Sequence, residues 1–145
     1  MTVVRRSALV PYEASAMFRL VNDVRRYPEF VPWCTRAEVL HEGEDELKAR
    51  LHFEKGAIRT SFTTLNRLQP GKMIEMRLVD GPFKHLQGFW RFESLGEGAS
   101  RVSLDLDFEI ANPVLRMTLG PLFTQITNSL VDAFVKRARE VYGKS

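Results

Sequence analysis

The chain has 145 residues, 44% of them hydrophobic and 27% charged, with a formal net charge of +3. That length suits one domain, residues 1–145, with a sizeable core, and no apolar run is long enough to cross a bilayer as a helix. Cys34 is the single cysteine, which excludes an intrachain disulfide. The N-terminal stretch lacks the long apolar region and small-residue cleavage site of a signal peptide. A cytoplasmic location is therefore expected, with peripheral contact at the inner face of a membrane as a variant. Acids and bases are interspersed, so the charge reads first as a solvated surface. Attraction to RNA or anionic lipid is permitted but not argued for.

Val3 to Val10 has the β-branched character of a strand and ends at Pro11. Ala14, Met17, Phe18 and Val21 then recur at helical spacing, predicting an amphipathic helix from Glu13 to about Asn22. Asp23 is placed to cap a second short helix through Tyr27, which Pro28 should end. From Ala37 onward the period changes to two. Leu47, Ala49, Leu51 and Phe53 alternate with Lys48, Arg50, His52 and Glu54; Ile58, Thr60, Phe62 and Thr64 alternate with Arg59, Ser61 and Thr63. Ile74, Met76 and Leu78 continue the pattern, Gly81-Pro82 interrupts it, and Leu86 to Phe92 follows.

Arg101 to Ile110 is the clearest strand, with Val102, Leu104, Leu106, Phe108 and Ile110 on one face and Ser103, Asp105, Asp107 and Glu109 on the other. Short turns between successive strands make an antiparallel meander with one wet face, so the other face needs a cover. The tail supplies it. Asn112 is a candidate N-cap with Pro113 in the first turn, and Leu115, Leu119, Leu122, Phe123, Ile126, Leu130, Phe134, Ala138 and Val141 mark one helical face. Gly120-Pro121 should bend this helix or restart it. The expected architecture is α+β: a curved antiparallel sheet around a long C-terminal helix, with room for an apolar cavity between them.

The segment from Tyr27 to Cys34 holds three aromatics, a valine and a cysteine, yet its two prolines deny it a long helix or a central strand. It is either a plug of the core or the rim of a cavity, and its place after two short helices, opposite the Gly81–Phe83 turn, favours the rim. Catalytic signals are poor. His41, His52 and His85 show no metal-ligand spacing and read as surface residues, Cys34 reads as a small buried hydrophobe, and no phosphate-binding or nucleophile motif occurs. Asp105, Asp107 and Glu109 read as surface charge. Large apolar groups are instead placed toward the interior: Phe53, Phe62, Met76, Leu78, Trp90, Phe108, Phe123, Ile126 and Leu130. Phe30, Val31, Trp33, Pro82 and Phe83 add apolar side chains on predicted loops. Each fits an ordinary core singly; together they suggest a ligand-binding cavity, with Thr60 and Thr64 as its inward polar groups. Phe89 falls on the outward parity unless a bulge near Gly88 reverses it.

Asp23-Val24-Arg25-Arg26-Tyr27-Pro28-Glu29-Phe30-Val31-Pro32-Trp33-Cys34, with Gly81-Pro82-Phe83-Lys84-His85-Leu86-Gln87-Gly88-Phe89-Trp90-Arg91-Phe92, resembles the coenzyme Q-binding family of START-like domains of the polyketide cyclase/dehydrase (SRPBCC) type. The resemblance implies a helix-grip (Bet v 1-like) fold of seven antiparallel strands around the tail helix. It implies a non-catalytic role: binding ubiquinone or a similar isoprenoid or lipid in support of respiration, with no cofactor required. Bacterial members include RatA-type proteins, described as ribosome-association toxins acting on the large subunit, which is the alternative. Lys136, Arg137 and Arg139 with Arg5, Arg6, Arg25 and Arg26 would have to converge to serve it. A cyclase-like enzyme using the same cavity is a further alternative by analogy of fold. No DNA partner is expected.

Overall fold

The computed structural model describes residues 2–143. Strand β1 (Thr2–Val10) is followed by helix α1 (Ala14–Asn22), a 3-10 turn (Val24–Glu29), and the strands β2 (Cys34–Glu42), β3 (Glu46–Lys55), β4 (Ile58–Gln69), β5 (Met73–Asp80), β6 (Phe83–Ser94) and β7 (Ser100–Ile110). The long helix α2 (Pro113–Tyr142) closes the fold. The seven strands form one sheet in the order β1-β7-β6-β5-β4-β3-β2, antiparallel throughout. Among the described residues only the β1–β7 pairing is non-consecutive, so the sheet is a meander that curls around α2.

Alternation explains the inner face. Val102, Leu104, Leu106, Phe108 and Ile110 are all buried, while Asp105, Asp107 and Glu109 sit outside and pair with Arg91 (2.6 Å), His85 (3.3 Å) and Lys84 (4.0 Å). Phe89 faces outward beneath the Arg91 guanidinium, 4.9 Å from its ring. No bulge lies at Gly88. Register shifts instead make Thr35, Leu40, Val79 and Lys84 the extra residues of their strands. Each bends its strand locally, which helps a sheet curl around one helix.

Several boundaries differ from the sequence reading. β2 starts at Cys34 rather than Ala37, and β6 at Phe83 rather than Leu86, so Phe83 lies on a strand and not on a loop. The second helix is a 3-10 turn that runs past Pro28 to Glu29. Proline's fixed φ suits such a short turn, and few N–H donors are needed there. Asp23 makes no side-chain cap; its carbonyl accepts from the Arg26 N–H at 3.1 Å. Thr63 faces outward as expected yet is buried, because Arg50 lies over it and donates to its hydroxyl at 3.1 Å.

Helix α2 neither breaks nor restarts at Gly120-Pro121 but continues for 30 residues, about 45 Å at 1.5 Å per residue. Pro121 is exposed and removes one N–H, and Met117, whose carbonyl loses that donor, lies on the exposed side, where water can serve. Asn112 caps the helix as expected, its side-chain oxygen accepting from the Leu115 N–H at 2.9 Å.

Candidate functional site

Between the concave sheet and α2 lies an apolar cavity of about 80 Å³. Its wall is dominated by aromatic rings because inward parity on β3, β4, β6 and β7 meets the buried stripe of α2. Phe123 from α2 stands at the centre of one group, with ring centres 4.8 Å from Phe83, 5.7 Å from Phe62, 6.2 Å from Phe108 and 6.3 Å from Phe53. The Phe83 pair is tilted and the other three are edge-on, arrangements that fill space well at these distances. Three turns along the helix, Phe134 meets Trp90 at 5.2 Å and Tyr27 at 5.3 Å. Met76 from strand alternation, Ile126 and Leu130 from the helical period, and Val31 from the apolar segment after the 3-10 turn complete the expected parts of the wall.

Three expected site residues lie outside this wall. Phe30 packs edge-on against the outer sides of Tyr27 and Phe134, at 6.0 and 5.1 Å, with the Arg137 guanidinium 5.0 Å from its ring. It faces a surface groove instead of the cavity. Trp33 lies beneath the Lys55 ammonium at 4.5 Å, its backbone in the left-handed region at φ 61°. Leu78 precedes the bulged Val79 and packs against the core at the Gly81 turn. Thr60 lies in an outer groove beside Arg36, His52 and Arg59. Of the two threonines singled out, only Thr64 reaches the cavity.

The polar members of the wall are Tyr27, Thr64, Asn66 and Thr127. Tyr27 donates its hydroxyl to the Val21 carbonyl, and burial pushes its phenol well above the usual tyrosine range. Thr127 donates back to the Phe123 carbonyl at 2.8 Å. Thr64 donates to the Asn66 side-chain oxygen at 2.9 Å, which leaves the carboxamide nitrogen of Asn66 as a donor at the wall. Asn66 was legible as the next inward position after Phe62 and Thr64; Tyr27 and Thr127 carried no comparable signal. These groups can orient an apolar guest, but a high-pKa phenol, two hydroxyls and an amide are poor general acids and bases near neutral pH.

The remaining titratable groups have ordinary structural roles. Cys34 is buried, and burial pushes its thiol up to about 11, so it behaves as a small apolar group. Each histidine faces a carboxylate: His41–Glu46 at 3.7 Å, His52–Glu38 at 2.7 Å and His85–Asp107 at 3.3 Å. The hydrogen bond from His52 holds Glu38 below the usual carboxylate range. Hydrogen bonds from Arg26 and Arg137, at 3.0 and 2.6 Å, do the same for Glu29. Among the described residues, no group of three or more His, Cys, Asp or Glu side chains could hold a metal. Among them, too, no helix is long and apolar enough to cross a membrane.

Residues 10–135 match the family described as polyketide cyclase/dehydrase and lipid transport. The chain belongs to that family. Its architecture is the START-like helix-grip fold. A relative from Pseudomonas aeruginosa, named ribosome association toxin RatA, is 54% identical over 98% of this chain and 99% of its own length. A relative from Xenopus laevis, named mitochondrial coenzyme Q-binding protein COQ10 homolog B, is 27% identical over 95% of this chain and 58% of its own. Among solved structures, the Zhui aromatase/cyclase from a Streptomyces species superposes with a TM-score of 0.84 over 99% of both chains at 20% identity, a likeness of fold alone.

Proposed function

We propose that this chain associates with the ribosome in the cytoplasm, binding the large subunit and hindering subunit association. The observation that carries this reading is the 54% identity, spanning nearly both full lengths, to a relative named for ribosome association. The cavity supports it indirectly. Ligand pockets commonly span ~300–1,000 Å³, whereas this one holds about 80 Å³, too little for a prenylated quinone without movement of the wall. The reading needs no reaction step, and none is proposed for the cavity wall. Sucrose-gradient sedimentation of the purified protein with separated and mixed ribosomal subunits tests it. The protein should travel with large subunits and reduce the joined-ribosome peak. If it stays at the top of the gradient at low salt and the peak is unchanged, the reading fails.

A second reading, that an isoprenoid quinone or other lipid is bound, is favoured by the Asn66 donor on an otherwise apolar wall and by the resemblance to the coenzyme Q-binding relative. It requires the aromatic rings to part. Native mass spectrometry of folded protein mixed with a lipid extract should then show a retained quinone or lipid. Protein that stays bare counts against it.

A further inference from the structure

On the outer face of the sheet, several cations are matched by carboxylates, although Lys48 and the exposed Arg67 have none at ion-pair distance among the described residues. Arg36 pairs with Glu38 at 3.4 Å, Arg59 with Glu54 at 2.9 Å, Arg77 with Glu75 at 2.7 Å and Arg101 with Glu93 at 3.7 Å. The helix side is different. Arg6, on the edge strand β1, reaches Asn128 of α2, with its guanidinium nitrogens 3.2 and 3.3 Å from the amide oxygen. Lys55, at the β3–β4 hairpin, reaches Gln125 of α2 at 2.6 Å. Both partners are neutral, so neither charge is cancelled.

Gln125 and Asn128 lie on the solvent-facing stripe of α2, and helical spacing continues that stripe through Asp132, Lys136 and Arg139. Lys136 and Arg139 are exposed, and neither has a carboxylate at ion-pair distance among the described residues. Arg6, Lys55, Lys136 and Arg139 thus stand against two carboxylates on the helix, Asp132 and Glu140. Those six groups together are net positive. From Gln125 to Arg139 the stripe runs about 21 Å at 1.5 Å per residue. Arg25 and Arg26, by contrast, are taken up by Glu42 and Glu29, and Arg5 lies on the sheet near Asp105.

We infer that the solvent face of α2, flanked by Arg6 and Lys55, docks the phosphate backbone of RNA. On the ribosomal reading, on which this inference rests, that RNA belongs to the large subunit. A run of cations unmatched by carboxylates is attractive to a polyanion, because each phosphate contact releases condensed counterions. The paired face of the sheet gains much less, since its cations must first leave their carboxylates.

The test compares two variants of equal net charge. One carries Arg6→Gln, Lys55→Gln, Lys136→Gln and Arg139→Gln; the other carries Arg36→Gln, Arg59→Gln, Arg77→Gln and Arg101→Gln. Each is titrated against purified large subunits and against deproteinised ribosomal RNA over a salt series, with thermal melting as the check on folding. Four phosphate contacts give a log–log salt slope of about −3, or a roughly 50-fold loss of wild-type affinity between 50 and 200 mM salt. The helix-face variant should lose that slope and bind both probes at least tenfold more weakly at 100 mM salt. The sheet-face variant should stay within about threefold of wild type. Undiminished binding by the helix-face variant, or an equal loss in the sheet-face variant, overturns the inference while leaving ribosome association standing. Helix-face-dependent binding to subunits but not to free RNA also overturns it, and assigns the face to an acidic protein. If the wild type ignores subunits yet binds free RNA through this face, the ribosomal reading fails and the RNA face survives.

Discussion

Phe123→Ala tests whether the aromatic wall is rigid or can part. Phe123 is 3% exposed and touches four other phenylalanine rings. Truncation removes a ring worth about 1.5–3 kcal/mol in transfer and leaves a void of about 100 Å³, which at ~24 cal/mol per Å³ adds about 2.4 kcal/mol. The expected loss is about 4–5 kcal/mol, a large share of the ~5–15 kcal/mol that holds a domain folded. Urea unfolding should show a lower midpoint with an unchanged slope. The new void joins the existing 80 Å³, and an apolar space of ~150 Å³ is enough to admit benzene. Benzene should therefore raise the melting temperature of Phe123→Ala and leave the wild type unaffected. A loss under about 1.5 kcal/mol with no effect of benzene would mean that the surrounding rings collapse inward. A wall that soft would not resist a large guest.

Gly88→Ala should lower stability by about 1–3 kcal/mol, since an added Cβ would sit 2.6 Å from Leu106 Cδ1, 3.2 Å from Met76 Cε and 3.0 Å from the backbone oxygen of Asp105. The two side-chain ends can swing toward the cavity but the carbonyl cannot, so calorimetry showing an unchanged or raised Tm refutes the close approach. Glu29→Gln should destabilise the protein at neutral pH, and the gap from wild type should close in acid. The Glu29 carboxyl is held below its ordinary 4.5 by Arg26 and Arg137, so its contribution is present above that value and is lost as pH falls through the folded pKa. A gap in Tm that persists at pH 3 contradicts this. Trp33→Gly should change stability by no more than about 1 kcal/mol, because relief of the left-handed backbone offsets the lost ring and its Lys55 contact. Phe30→Ala should cost more, about 1–3 kcal/mol, through its two edge-on partners; urea titrations that reverse this order refute both placements.

The fold was legible wherever periodicity could act. Strand parity placed Phe53, Phe62, Met76, Trp90 and Phe108 on the concave face, and the 3.6 period placed Phe123, Ile126 and Leu130 opposite them. Where periodicity stops, so did the reading. Phe30 and Trp33 lie beside two prolines, and their directions are set by a 3-10 turn and a left-handed residue that no spacing announces. Leu78 was misplaced by the bulge immediately after it. Gly120-Pro121 favours a bend or a restart by sequence, yet the helix runs through it. Water can serve the exposed Met117 carbonyl that loses its donor, while the proline ring's crowding of that carbonyl remains a cost that the packing of the helix offsets. Cavity size was also hidden: composition supplies rings but not the gaps between them.

Helix α2 presents two separate stripes. Its buried stripe, from Leu119 to Ala138, faces the cavity and governs what the interior accepts. Its solvent stripe, from Gln125 to Arg139, carries Lys136 and Arg139, which have no carboxylate at ion-pair distance among the described residues. The two stripes share a backbone but no side chains. Substitutions on one are therefore nearly independent of the other unless they shift the helix itself. Closing the cavity with phenylalanines removes space for a guest without altering the outer charge, and adding surface lysine or arginine creates a docking face without altering the core. In this chain five phenylalanines converge where the cavity is narrow, and Lys136 and Arg139 lie on the opposite side of the same helix, with Arg6 and Lys55 reaching it from the strands.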